Sequence, residues 1–192
     1  MIKALIFDCF GVFYPDPVFS YMREPQNIPE KAQSLHALDE QASRGKLTKA
    51  GFIRQAAVLL NRSPQEIEIQ FFQRHNTNQE LTDFIKNVRS KYKTALLSNI
   101  GGDMMDGFFT PEEFEQLFDI VIFSGNEKFA KPDEEFFALA CKRLGFTPQE
   151  AVMIDDVEGN CEAAKKIGMQ AVCYKDFEQF YREIEEVGGL NI

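Results

Sequence analysis

Long apolar runs are absent from this sequence. No segment approaches the roughly 18 consecutive apolar residues that a membrane-spanning helix needs. The opening "MIKALIFD" runs straight into a strand pattern, without the apolar stretch and small-residue cleavage site of an export signal. Positive charge is in short supply: 21 Lys and Arg stand against 30 Asp and Glu, for a net charge of -9 and a pI near 4.8. That balance argues against a general nucleic-acid surface, which would be basic, and against docking on anionic lipid. It leaves an anionic substrate open, because a local lysine and a metal ion outweigh a distant field.

Cysteine is sparse. Cys9, Cys141, Cys161 and Cys173 are scattered without metal-site spacing, and in a chain with no export signal the expectation is free thiols and a cytoplasmic location. Only 2 histidines occur, His36 and His75, and packed or solvated roles are the commoner fate of such residues. Tryptophan is absent and Phe abundant at 19 residues, which describes a core and assigns no function. Internal repeats and low-complexity tracts are missing as well.

What is present is an alternation of two textures. Residues 3–8, 93–98, 119–123, 151–155 and 170–174 are short apolar runs, the pattern of strands buried on both faces. Between the later runs lie helical segments with marked ends. "TPEE" at 110–113 is a capping box, "PDEEFFALACKRLG" closes on Gly145, and "EGNCEAAKKIG" closes on Gly168. Strand and helix in alternation predict an α/β fold, a doubly wound parallel sheet.

Residues 15–92 break the rhythm. No buried strand pattern appears there, and helical spacing predicts helices over 30–43, 49–60, 64–74 and 79–91, with a second capping box, "SPQE", at 63–66. A direct crossover needs only about 30 residues, so the surplus is an all-helical insertion after the first strand. The expected division is a core of residues 1–14 and 89–192 with an inserted helical domain of residues 15–88. The Pro-rich piece "YPDPVFSYMREPQNIP" reads as a hinge and loop leading into it.

Open α/β sheets bind ligands at the carboxyl ends of their strands. Asp8 follows the first run, and Ser98 and Asn99 the second. Lys131 precedes the fourth in a Lys-Pro loop, and Asp155, Asp156 and then Asn160 follow it. Carboxylates, a hydroxyl, an amide and an ammonium on one rim suit phosphoryl transfer. Asp8 is placed to attack phosphorus. Lys131 and Ser98 would hold the phosphate oxygens. Several acids together require a hard cation such as Mg²⁺. Other readings stay open residue by residue: Ser98-Asn99 as a cap on the turn at Gly101-Gly102, and Asp155-Asp156 as acids at a helix start. Cys9, on the opposite face of an extended segment from Asp8, reads as packing. Arg23, Arg44 and Lys46 are not distinguishable from surface charges.

These four stations, "LIFDCFGV", "ALLSN", "KPDEEFF" and "VMIDDVEGN", resemble the four motifs of the haloacid dehalogenase-like superfamily over nearly the whole chain. The resemblance implies a Rossmann-like core with a helical cap inserted after the first motif. It also implies Asp8 as nucleophile. Mg²⁺ would be held by Asp8, the backbone carbonyl of Phe10 and the acids of the last motif, Asp155 and Asp156, with Asn160 in its shell. Which of Asp155 and Asp156 binds directly stays open. The substrate would be a small phosphorylated metabolite, a sugar phosphate among the candidates, held by Ser98, Asn99, Lys131 and the wall made by Phe10.

Phe10 is the departure. Phosphatases of the family typically carry there an Asp that protonates the leaving group and then activates water. Such help is worth about 10²–10⁴ in rate. Family dehalogenases carry Tyr at this place and certain sugar-phosphate phosphatases Gly. Three readings follow: a phosphatase specialised for good leaving groups, a dehalogenase, and an impaired phosphate-binding module. Dehalogenation needs no metal, whereas Asp155, Asp156 and Asn160 together favour a metal-dependent phosphohydrolase.

Overall fold

The computed structural model describes residues 1–24, 28–73 and 77–190; His75 lies outside them. Five strands form one parallel sheet: β1 (Ala4–Phe7), β2 (Lys93–Ser98), β3 (Ile120–Phe123), β4 (Ala151–Asp155) and β5 (Gln170–Cys173), in the order β3-β2-β1-β4-β5. All five coincide with the apolar runs expected from the sequence. β1 is central, and Phe7 is in register with Leu96 on one side and Ile154 on the other. The residues just beyond these, Asp8, Ser98 and Asp155, therefore share the carboxyl rim.

Successive side chains of a strand point to opposite faces, and β1 feeds two cores. Leu5 and Phe7 join one apolar cluster, Ala4 and Ile6 the other. The second cluster is closed by α7 (Glu134–Leu144) and α8 (Glu158–Lys166), through Phe136, Phe137, Cys161 and Ala164. The first is closed by α5 (Gln79–Val88), α6 (Pro111–Leu117) and α9 (Phe177–Gly188), through Phe84, Leu117 and Phe180. Helices on both faces make this a doubly wound, Rossmann-like α/β core.

Between β1 and β2 the chain forms α1 (Pro17–Arg23), α2 (Pro29–Ser43), α3 (Lys49–Leu60) and α4 (Pro64–Phe72), then α5. Both expected capping boxes are present, Ser63 with Glu66 and Thr110 with Glu113. Two elements differ from expectation. The piece read as a hinge and loop contains α1, because Asp16 accepts the Phe19 N–H as a cap and Pro17 occupies the first helical turn. α9 carries no expectation from the sequence; it packs Phe177, Phe180 and Tyr181 around Phe84 of α5. α5 thus lies against the sheet side of the molecule, while α1, α2, α3 and α4 pack on one another.

Several bonds tie α2 and the start of α3 to the rim. Ser43 Oγ donates to the Asn99 carbonyl at 2.9 Å, and Ser124 Oγ donates to the Ser43 carbonyl. The Lys49 N–H donates to Asp103 Oδ2 at 2.8 Å. Gly45, at φ +68, lets the chain pass so close that a Cβ there would sit 2.3 Å from the Gly125 carbonyl oxygen.

Candidate active site

Lys131 stands at the centre of the rim. Its side chain is buried, and its Nζ lies 2.7 Å from Asp8 Oδ1 and 2.6 Å from Asp155 Oδ2. The lysine is held by its backbone: Asn99 Nδ2 donates to the Lys131 carbonyl at 2.7 Å and the Lys131 N–H donates to Asn99 Oδ1 at 2.8 Å. Asn99, expected at the substrate, lines the cavity and uses both ends of its amide to position Lys131.

Asp155 is fully engaged. Oδ1 accepts from the Val157 N–H and from Asn160 Nδ2, both at 2.9 Å, and Oδ2 takes Lys131. Asp8 Oδ1 accepts the Cys9 N–H and the Lys131 ammonium, each at 2.7 Å, which leaves Oδ2 for chemistry. Asp156 is the opposite case: its carboxylate makes no hydrogen bond to another residue among those described. It rests against Gly11, where a Cβ would come within 2.1 Å of Asp156 Oδ2. One carboxylate oxygen each from Asp8, Asp155 and Asp156 lie within 4.8 Å of one another.

Electrostatics follow from this crowding. Burial pushes the Asp8 carboxyl up, with Lys131 pulling it back. Burial works against the Lys131 ammonium, but Asp155 and Asp8 outweigh it and hold it well above the ordinary lysine range. Asp156 is pushed up to about 6, by burial first and then by Asp155. Three acids with one ammonium leave an excess of negative charge. The donors are all hard oxygens, so the residues fit a divalent cation of the Mg²⁺ type.

Ser98, 1% exposed, has an Oγ with no hydrogen-bond partner among the described residues. An unmade hydrogen bond in a buried hydroxyl costs about 1–3 kcal/mol, and Ser98 stands on the cavity wall. The cavity, of about 280 Å³, brings together Asp8, Phe10, Ser98, Asn99, Lys131, Asp156 and Asn160 from the expected set. Its far wall was not expected from the sequence: Asp16, Phe19, His36, Asp39, Glu40 and Arg44. Arg44, indistinguishable by sequence from a surface charge, lines the cavity and pairs with Asp133 at 3.5 Å. Cys9 is buried in the core, as expected. Phe10 is half-buried, its ring edge-on to Phe108 at 5.0 Å.

Comparison with known proteins bears on this rim. The chain is 33% identical over 60 residues to a phosphorylated carbohydrates phosphatase of Thermotoga maritima, covering 31% of this chain and 28% of that protein. It is 25% identical over 206 residues to acyl-CoA dehydrogenase family member 10 of mouse, covering 98% of this chain but 19% of that protein. The chain thus spans well under half the length of these two relatives. Among solved structures, a HAD family enzyme of Bacteroides thetaiotaomicron in complex with magnesium and inorganic phosphate superposes with a TM-score of 0.73. It is 26% identical, covering 95% of this chain and 100% of that one. Over residues 2–168 the sequence matches the haloacid dehalogenase-like hydrolase family, and the chain belongs to it.

Proposed function

We propose that this chain is a Mg²⁺-dependent phosphatase of small phosphorylated metabolites, working through an aspartyl-phosphate on Asp8. One observation carries the reading: a buried Ser98 hydroxyl, without a partner among the described residues, shares a cavity with a buried lysine and with Asp8 and Asp156, two members of a three-carboxylate cluster. A phosphate satisfies the hydroxyl and the ammonium, and a cation satisfies the acids. Hydrolytic dehalogenation needs no cation and would leave the acid cluster unrelieved.

Asp8, Asp156 and the Phe10 carbonyl would hold the ion. Asp155 and Asn160 act beside it, Asn160 by fixing Asp155 and Asp155 by fixing Lys131. The ion would supply charge neutralisation between the nucleophile and the phosphate. Asp8 Oδ2 attacks phosphorus, its partner oxygen being pinned by the Cys9 N–H and Lys131. Lys131 and Ser98 bind the oxygens that gain charge in the transition state. The cavity, about 280 Å³ and lined by polar groups, suits a small polyhydroxylated ester such as a sugar phosphate. Of the inserted residues 15–88, α1 to α4 would form the cap that moves, while α5, packed in the sheet's apolar cluster, would stay with the core. A cytoplasmic setting accords with cysteines that are all free.

The test is a panel of phosphorylated metabolites with and without Mg²⁺. The expected result is hydrolysis that needs Mg²⁺ and disappears in Asp8→Asn. Folded, Mg²⁺-supplied protein that hydrolyses nothing in the panel would refute the reading.

A further inference from the structure

Phe10 leaves a chemical post unfilled: a phenyl ring neither protonates a leaving alkoxide nor takes a proton from water. The far wall of the cavity carries carboxyls that can. α2 turns one stripe toward the cavity, His36, Asp39, Glu40 and Ser43, at the i, i+3, i+4, i+7 spacing of a single helix face. Asp16 faces the cavity from the start of α1. A smaller apolar chamber of about 40 Å³ opens beside the first, and Phe10, Asp16 and Asp39 border both, so the two carboxyls adjoin the same space as the Phe10 ring.

The two acids are not equivalent. Asp16 Oδ1 is engaged by the Phe19 N–H at 2.8 Å. Asp39 has neither a hydrogen-bond donor nor an ion-pair partner against its carboxyl among the described residues. The charged and titratable groups around it are Asp16 from the start of α1, His36, Glu40 and Arg44 of its own helix, and Asp8, Lys131 and Asp156 across the cavity. Arg44 is drawn toward Asp133. Burial first, then Asp16 and Glu40, hold the Asp39 carboxyl up to about 7. Asp39 also sits on a fixed support. Ser43, one turn along the same face, is bonded to the rim through both its hydroxyl and its carbonyl.

We propose that Asp39 is the proton donor and acceptor of this site, supplied from the inserted helices in place of the carboxyl that position 10 lacks. The inference rests on the phosphatase reading. In the first step Asp8 Oδ2 forms a bond to phosphorus while the bond from phosphorus to the ester oxygen breaks. The Asp39 proton goes to that oxygen, which leaves as an alcohol. In the second step water attacks the phosphorus of phospho-Asp8, its proton returns to the Asp39 carboxylate, and Asp8 departs as carboxylate with inorganic phosphate released. The sum is ester plus water giving alcohol plus phosphate, with Asp39 regenerated.

The test compares Mg²⁺-supplied wild type and Asp39→Asn on p-nitrophenyl phosphate, whose leaving group needs no proton, and on the alkyl phosphate ranked best in the panel. The expected loss in kcat/KM, which reports the step that expels the leaving group and not the hydrolysis of phospho-Asp8 common to both esters, is about 10²–10⁴ on the alkyl ester and under about tenfold on the nitrophenyl ester. The limb of the pH profile near 7 should vanish, and Phe10→Asp in the Asp39→Asn background should restore part of the alkyl activity. Equal losses on both esters, or none, overturn the proposal, as does a selective loss in Asp16→Asn that Asp39→Asn lacks. Carboxyl ¹³C titration of the resting protein reads the same residue without turnover. An Asp39 resonance titrating in the ordinary aspartate range, or unmoved by Asp16→Asn, also overturns it. Failure of the phosphatase reading looks different: the wild type itself hydrolyses no ester, and the proposal falls with it.

Discussion

At the scale of single residues, Lys131 holds two buried carboxylates apart and together. Removing it as Lys131→Met leaves Asp8 and Asp155 uncompensated in the interior, and breaking one side of such a cluster costs about 3–5 kcal/mol. A urea titration of metal-free protein should show that loss; an unchanged midpoint would mean that the acids are solvated. Asp39 gives a pH-dependent expectation. Its carboxyl is held above the ordinary aspartate value of 3.8, up to about 7. Between these values the native state binds more protons than the unfolded chain, so ionising Asp39 costs stability as pH rises. Asp39→Asn removes that cost. Its melting temperature should match wild type below about pH 4, exceed it increasingly up to about pH 7 and hold a constant lead above that, each kcal/mol being worth about 2–4 °C. A constant gap across pH would remove the carboxyl from the account. The rim residues Asp8, Ser98, Lys131 and Asp155 were legible in the sequence because each directly ends a strand or stands at a loop with a marked start. Asp16 and Asp39 were not. Which face of α2 meets the rim depends on how the helix docks, and one sequence gives the stripe without its target.

At the scale of elements, the turn after β1 shows how backbone freedom makes room for a carboxylate. Gly11 sits at φ +85, and a Cβ there would come within 2.1 Å of Asp156 Oδ2. Gly11→Ala should therefore displace Asp156 and weaken Mg²⁺ about 10–100-fold, the range for lost support of a ligand, as read by calorimetry on folded protein. Unaltered affinity would exclude Asp156 as a ligand. The five strands were readable because burial on both faces makes them nearly continuous apolar runs, and the capping boxes because their chemistry is local. α1 was missed although Asp16-Pro17 is a start signal, since two prolines in four residues, Pro15 and Pro17, also suit a loop. α9 forms on contacts with α5, which lies almost one hundred residues earlier in the chain.

At the scale of the whole molecule, the inserted helices and the core meet over a cavity that needs both. Ser43, Gly45 and Lys49 bring the inserted helices onto the rim, and closure would exclude bulk water from a phosphoenzyme. Hydrogen exchange with Mg²⁺ and fluoroberyllate should slow in α2 and at 124–126, and stay level in α5. Equal change in α5 would move the hinge. Among the described residues no helix is long and apolar enough to cross a membrane. On the proposed mechanism, Asp8 carries the phosphoryl group. To trap that phosphoenzyme, the protein is quenched in acid during turnover of the best substrate and reduced with borohydride, and its peptides are sequenced by mass spectrometry. Homoserine, the reduction product of an aspartyl-phosphate, should appear at position 8, and none in the Asp8→Asn protein. Turnover with Asp8 recovered unmodified, or homoserine at another aspartate, would contradict it.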